Sequence, residues 1–401
     1  MRIKGFAILA AATLLLLLAT GCWNRQELNE LGIVVAMGID RDGDRFRVSV
    51  QVVQPGEVAA KSGGQSLRSP VAMYEASGRT IFEALRKMTT VSPRKIYASH
   101  LRVVVIGEAL ARQGIGTALD FLQRDHQVRS DFYLMVAKET TASSILNVLT
   151  PMERIPANDL YASNATAEKA WAPIFGITLG KFVTDLGSDG KQPVITGIGL
   201  NGDAEEGSNT RNVERIRPAA ELQFSGMAVF RKDKLVGWLN EEESKSYNFI
   251  LGNVRSTLEN QSCPNGGELA LEIIRTKANV KGHVRRGEPQ VEIRLRVEEN
   301  VGEIQCRIDL NKTAVVDELE RRSEDRLREA MSKTIRKMQT EYQLDIFGFG
   351  QAIHRADPAA WRRLKRDWDR NFADMQVKLD VKTVIDRVGT INQSFLSKLE
   401  E

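Results

Sequence analysis

The chain has 401 residues, 42% of them hydrophobic and 27% charged, with a formal net charge of +4. That length accommodates two or three domains of ordinary size. Lys and Arg are interleaved with Asp and Glu along it, which argues against the concentrated basic patch of a nucleic-acid partner and against a polybasic membrane-binding segment.

Arg2 and Lys4 make a short basic start, Phe6 to Leu18 is apolar except for Thr13, and Leu18-Ala19-Thr20-Gly21-Cys22 follows directly. A charged n-region, an apolar h-region and a small residue before the cut are what signal peptidase reads, so residues 1–21 are expected to be a signal peptide. Cysteine after glycine resembles the bacterial lipobox, in which the thiol receives a diacylglycerol and becomes the lipidated N-terminus. Cys22 is therefore the expected lipid attachment site, with Ala19 standing where Leu is commonest. The competing reading is an uncleaved span, but the unbroken apolar run is shorter than the ~20 residues that cross a bilayer. One acyl chain binds a membrane marginally and two bind it stably, which places the mature protein outside the cytoplasmic membrane on a tether. Loss of Arg2 and Lys4 takes the 56 basic residues to 54 against 52 acidic ones, a net +2.

Trp23 to Leu31 reads as a short helix, with apolar Trp23, Leu28 and Leu31 among polar residues. Ile33–Asp40 is a buried-strand run and Phe46–Val53 alternates with period two, so the pair predicts a hairpin around Asp40-Arg41-Asp42-Gly43-Asp44. Those aspartates do not open a calcium loop, because an EF-hand loop starting at Asp40 needs Gly where Arg45 stands and Glu where Gln51 stands. Lys61 to Ser69 reads as an exposed loop, and Thr80 caps a helix carrying Ile81, Leu85 and Met88 on one face. Strands at Leu101–Ile106 and Phe132–Ala137 alternate with a helix at Ile115–Gln123, a pattern that favours an α/β layer. Thr141 to Lys181 is mainly helical, broken by Pro151, Pro156 and Pro173, and Val194–Leu200 is strand-like. Asn201 to Asn212 is polar and aperiodic, and the main boundary is placed there.

In the second half, strands are predicted at Phe224–Phe230, Lys234–Leu239, Glu268–Ala278 and Gln290–Val297, and Asn240 with Glu243 resembles a capping box. A long helix from about Val316 to Leu344 presents Leu327, Met331, Ile335, Met338 and Tyr342 at three- and four-residue steps. A shorter helix, Pro358–Phe372, and a final strand, Gln376–Ile385, close the chain. The fold class expected is mixed α/β (α+β), a multi-domain ectodomain of mixed sheets packed by helices behind the signal peptide. Its regions are 22–200, a linker at 201–222, and 223–401.

Chemistry-bearing patterns are sparse. Glu241-Glu242-Glu243 are consecutive, so on a helix they diverge and cannot flank one glycosidic bond; they suit a solvated first turn favoured by the helix dipole. No Gly-x-Ser-x-Gly elbow occurs, Gly348-Phe349-Gly350 lacks phosphate-loop spacing, and His100, His126, His283 and His354 are scattered. Neither a catalytic residue nor a metal or cofactor site is expected. Cys263, in a polar loop, and Cys306, in the strand-like stretch Glu303–Leu310, can pair or stay as thiols in an exported protein, and sequence leaves both open. Trp361, Trp368, Phe347, Phe349 and Phe372 suit a helix-on-sheet core better than a binding platform, while Arg94-Lys95-Ile96-Tyr97-Ala98-Ser99-His100 serves structure or a partner equally well.

Several of these blocks are similar to those of one family. Cys22-Trp23-Asn24-Arg25-Gln26-Glu27-Leu28-Asn29-Glu30-Leu31, then Met37-Gly38-Ile39-Asp40, resembles the mature N-terminus of the Ger(x)C family, lipoprotein C subunits of bacterial spore germinant receptors. Ser92-Pro93-Arg94-Lys95 with Tyr97, Ser99 and His100 resembles its segment before a strand ending in Ile106-Gly107-Glu108. Leu119–Asp125 and Arg129–Ala137 match the next block in kind. Lys232-Asp233-Lys234-Leu235-Val236-Gly237-Trp238-Leu239 and Asp345-Ile346-Phe347-Gly348-Phe349-Gly350, with His354, Trp361, Leu364 and Trp368, are similar to its C-terminal signatures. The resemblance implies a non-enzymatic α/β ectodomain on the outer face of the spore inner membrane, beside integral A and B subunits that respond to small germinants. The rival is a substrate-binding lipoprotein of an uptake system, which predicts a two-lobed pocket. A cell-wall hydrolase ranks behind both, for want of a catalytic constellation.

Overall fold

The computed structural model describes residues 27–59, 69–263, 266–306 and 308–387, together with Gly5. The expected signal peptide, Cys22 and nearly all of the Lys61–Ser69 loop lie outside the described residues.

A 3-10 turn, Leu28–Glu30, leads into a strand that already includes Leu31; Trp23 to Gln26 of the expected short helix lie outside the described residues. That strand, β1 (Leu31–Asp42), turns at Gly43 (φ +60°) into antiparallel β2 (Arg45–Val53), as the hairpin pattern predicts. The sheet is completed by β3 (Val71–Gly78), β4 (Lys95–Tyr97), β5 (Val103–Gly107), β6 (Tyr133–Ala137), β7 (Val194–Gly202), β8 (Ala220–Arg231) and β9 (Lys234–Leu239). Its order is β3-β2-β1-β5-β6-β7-β8-β9, with β4 laid parallel against the first three residues of β1. β1, β5, β6 and β7 run parallel, and antiparallel strands extend both edges.

Parallel strands are covered on both faces and so read as unbroken apolar runs. All five residues of β5 are buried. Val104, Ile106, Leu134 and Val136 meet the helices Ile81–Lys87, Glu108–Gln113 and Gly116–Arg124 on one face. Val103, Val105, Met135 and Ala137 meet Ala142–Asn147 and Pro156–Ala170 on the other.

The second sheet is β10 (Thr257–Ser262), β11 (Glu268–Arg285), β12 (Glu288–Ile304) and β13 (Gln376–Arg387), in that order, its last pair parallel. Strict alternation along β12 presents Val291, Ile293, Leu295 and Val297 to the core. The long helix runs over Thr313–Lys337, burying Leu327, Met331 and Ile335, and ends in a π turn, Met338–Tyr342, with Gln343 left-handed. One apolar cluster contains residues of both sheets, from Val34 to Val381.

Several expectations change in the structure, among them the single helix Pro358–Phe372, which is two helices joined by a 3-10 turn at Lys365–Asp367. The 201–222 segment, expected as a linker at the main boundary, lies within one sheet: two short helices, Ala204–Gly207 and Arg211–Glu214, carry the chain between neighbouring strands β7 and β8. Buried Asn212 holds it, donating to the Leu149 and Ala220 carbonyls and accepting from the Ala219 and Ala220 amides. Glu243 is not part of a solvated turn; it closes the capping box with Asn240 and both its oxygens lie 2.9 Å from Lys337 Nζ, tying the helix Glu241–Leu251 to the long helix. The strand-like stretch ends at Ile304, and Cys306 beyond it is bonded to Cys263.

Candidate interaction site

Most of the residues that carry the family resemblance hold the framework. Buried Asp40 accepts from the Ala142 and Ser143 amides and caps the helix Ala142–Asn147, and burial raises its carboxyl above the ordinary range. Gly107 is required beside it, since a Cβ there would stand 2.0 Å from Asp40 Oδ1. Glu108 accepts from Arg112, from the Glu139 amide and, at 3.4 Å, from Trp238 Nε1; these bonds draw its carboxyl below the usual value despite burial, which acts the other way. Asp233 accepts from the Gly116 amide at 3.0 Å and joins the β8–β9 turn to the helix Gly116–Arg124.

The same holds for the second signature. Asp345 is wholly buried and accepts backbone N–H bonds from Phe347, Gly348, Phe349 and Gly350 and an indole N–H from Trp368. This is an anion at a helix N-terminus, held by Gly348 at φ +80°. Burial pushes its carboxyl up to about 6 against the pull of those donors. Phe347, Phe349, Trp361, Trp368 and Phe372 fill the core around it, as the helix-on-sheet reading expects.

The Arg94–His100 cluster is different: Ala98 is buried and Ile96 packs on the core, while Lys95 and His100 are exposed and Arg94, Tyr97 and Ser99 half-buried. Ser92 is buried, and its hydroxyl donates to the Arg94 carbonyl at 2.7 Å and accepts from the Arg94 amide, turning the chain into β4. β4 pairs Lys95, Ile96 and Tyr97 with Leu31, Gly32 and Ile33, so it sits where the chain enters the sheet. Clefts border it on several sides. One of 650 Å³ lies between the helices Ile81–Lys87 and Gly116–Arg124 and is lined by Phe82, Arg86, Lys95, Ile96, Phe121 and His126. Another of 380 Å³ includes Ile33, His100, Arg102, Arg129 and Tyr161, and a third of 310 Å³ includes Gln54, Tyr74, Pro93 and Arg94.

The electrostatics of this end are cationic. Arg86, Arg94, Lys95 and Arg102 have no ion-pair partner among the described residues, whereas Lys87, Arg124 and Arg129 pair with Glu83, Asp120 and Asp131. Arg86 lies 5.0 Å over the Phe82 ring and Arg102 5.0 Å over Tyr161. The whole-chain mixing of charge breaks here: between Glu83 and Glu108 there are five Lys and Arg residues and no Asp or Glu. That acid-free run is the signal that a reading of overall charge balance passes over.

Among the described residues no group of three or more His, Cys, Asp or Glu is arranged to hold a metal ion. No helix among them is long and apolar enough to cross a membrane. The expected lipid site, Cys22, lies outside the described residues, five positions before Glu27.

Comparison with known proteins gives a consistent picture. Residues 24–200 match the model for the spore germination protein N-terminal domain, and 225–389 match spore germination B3/GerAC like, C-terminal. Spore germination protein KC of Bacillus subtilis (strain 168) is 30% identical over 379 residues, 93% of each chain. Spore germination protein B3 of the same organism is 23% identical, covering 94% of this chain and 97% of its own. The crystal structure of the GerBC protein shares the fold, with a TM-score of 0.56 at 20% identity over 87% of this chain and 96% of that one.

Proposed function

Because the chain belongs to the GerAC-like, or Ger(x)C, family of spore germination proteins, we propose that it is the non-catalytic C subunit of a nutrient germinant receptor. In this reading residues 1–21 are removed as the signal peptide, and a diacylglycerol on Cys22 holds the protein to the outer face of the spore inner membrane. Regions 22–200 and 223–401 make up the exported protein, with β8 and β9 of the second completing the large sheet of the first, and it works beside integral A and B subunits. The observation that carries the proposal is a match to germination proteins along nearly the whole chain, 93% of it for protein KC, behind a lipobox-like Leu18-Ala19-Thr20-Gly21-Cys22. The framework roles of Asp40, Glu108, Asp233 and Asp345 support an assembly part rather than a catalyst.

Deletion of the gene in its spore-former, with all paralogous receptors also removed, is expected to abolish loss of refractility in the cognate nutrient. Restoring the native gene returns the response, and restoring Cys22→Ala does not. Normal germination of the deletion spores, together with submicromolar nutrient binding by the isolated mature chain, would overturn this assignment in favour of an uptake lipoprotein.

A further inference from the structure

We propose that the end of the large sheet where the chain enters, with Arg86, Arg94, Lys95 and Arg102 beside exposed Phe82 and Val91, rests against the anionic headgroups of the bilayer. This deepens the reading above and rests on an acylated Cys22. Five residue steps separate Cys22 from Glu27, so whatever path they take, the acylated residue lies within ~18 Å of Glu27. Glu27 precedes the turn Leu28–Glu30 and β1, whose first residues pair with β4. A tether that short brings this end of the protein to the membrane. The opposite end of β1, at the Gly43-Asp44 turn, is ~36 Å away along a 12-residue strand.

What stands at the entry end suits a lipid surface. Val91 is 66% exposed, a large apolar side chain left in water, and Phe82, 51% exposed, lines the cleft it shares with Lys95 and Ile96. The four cations named above have no ion-pair partner among the described residues, with Glu30, Glu57, Asp125 and Asp131 as nearby acids, Asp131 being paired with Arg129. The pairing of exposed apolar side chains with Lys and Arg is how interfacial segments bind, the first entering the headgroup boundary and the second meeting phosphate. A stable anchor is already supplied by the acyl chains. The added contacts therefore set orientation, fixing which faces stay open to neighbouring integral proteins.

The test uses the full mature acylated chain in vesicles, with nitroxides placed singly through Val91→Cys and Asp44→Cys. Cys263 and Cys306 are bonded to each other and Cys22 is blocked, so each introduced thiol is unique. In phosphatidylglycerol-containing vesicles the Val91 site is expected to be shielded from an aqueous nickel chelate while the Asp44 site collides freely. The shielding should disappear in pure phosphatidylcholine and on Arg94→Glu/Lys95→Glu, each lost cation weakening surface association about fivefold. Equal nickel access at both sites in the anionic vesicles overturns the proposal, as does shielding that appears only when integral subunits are added. Flotation of the vesicles reports the tether separately. A chain that stays in the aqueous phase with Cys22 intact refutes the anchor and removes this proposal with it, whereas floating vesicles with a wet Val91 refute only the face.

Discussion

Two buried carboxylates show how local partners decide a charge. Asp345 has five N–H donors, and Glu299 on β12 has a single donor, the Ser323 O–H at 2.8 Å, with its Oε2 unpartnered among the described residues. Burial pushes Glu299 up to about 7; neighbouring Glu259 and Glu320 add to the rise, and Ser323 and Lys245 oppose it. A carboxyl whose folded value exceeds its unfolded one binds more protons when folded, so stability falls as pH rises between the two values. For Glu299 the window runs from the ordinary 4.5 to about 7. The loss across it is of order 3 kcal/mol if the whole shift is realised. Glu299→Gln keeps the shape and removes the titration. Urea midpoints of the mature chain are expected to coincide for variant and native protein near the lower end of the window, and to favour the variant by up to that amount at mildly alkaline pH. Parallel pH profiles for the two proteins would show that Glu299 does not carry the effect.

Elements were legible where one period ran long enough. The β1–β2 hairpin, the Thr80-capped helix and the capping box at Asn240 and Glu243 stand where their patterns place them, and the long helix does so up to Lys337, short of the expected Leu344. β3 escapes such a reading because it is half-buried on both faces at the sheet edge, which erases alternation. β4 is three residues long, too short for any period. The helix Glu108–Gln113 follows β5 with no intervening loop residue to mark a change. The disulfide also depends on long-range register. β10 and β12 flank β11, and just before its first residue, Glu268, the chain turns at Gly266 and Gly267, both at positive φ, with the Cys263 and Cys306 Cα atoms 6.2 Å apart. That bond closes a loop spanning 43 positions. In the chain-entropy account such a loop restrains the unfolded state by about 4 kcal/mol. Cys263→Ser/Cys306→Ser is therefore expected to lower unfolding free energy by about 2–4 kcal/mol, measured by urea titration, with no change for reductant to add in the variant. An unaltered midpoint would show that the bridge contributes nothing.

At the scale of the whole molecule, sheet order and the seam between the two sheets lie beyond any local pattern. The entry-end surface, by contrast, left a trace in the acid-free run between Glu83 and Glu108, although its meaning depends on β4 meeting β1. The seam is built from both polar and apolar parts. The Gln192 backbone N–H donates to the Asp345 carbonyl, Gln351 reaches Ser188, Lys365 reaches Asp189, and Arg231 donates to Asp369 and to the Tyr342 carbonyl. Since one apolar cluster contains residues of both sheets, the two should unfold as a single cooperative unit. Gly190 lies at a close approach of two backbone segments, where a Cβ would stand 2.7 Å from the Gly350 carbonyl carbon and 2.8 Å from the Gln351 amide nitrogen. Both neighbours are backbone, and Trp361 and Trp368 pack behind Gly350, so no flexible side chain can yield. Gly190→Ala should therefore wedge the seam and cost about 1–3 kcal/mol, the usual range for overpacking. Hydrogen exchange resolves where the cost falls. In the native protein the slowest amides of β5 and β6 and those of β11 and β12 are expected to exchange at one common free energy. In the variant the β11 and β12 amides should exchange first, through partial opening at the seam. Two separate unfolding free energies in the native protein, or a Gly190→Ala variant as stable as the native chain, would show that the sheets are energetically independent.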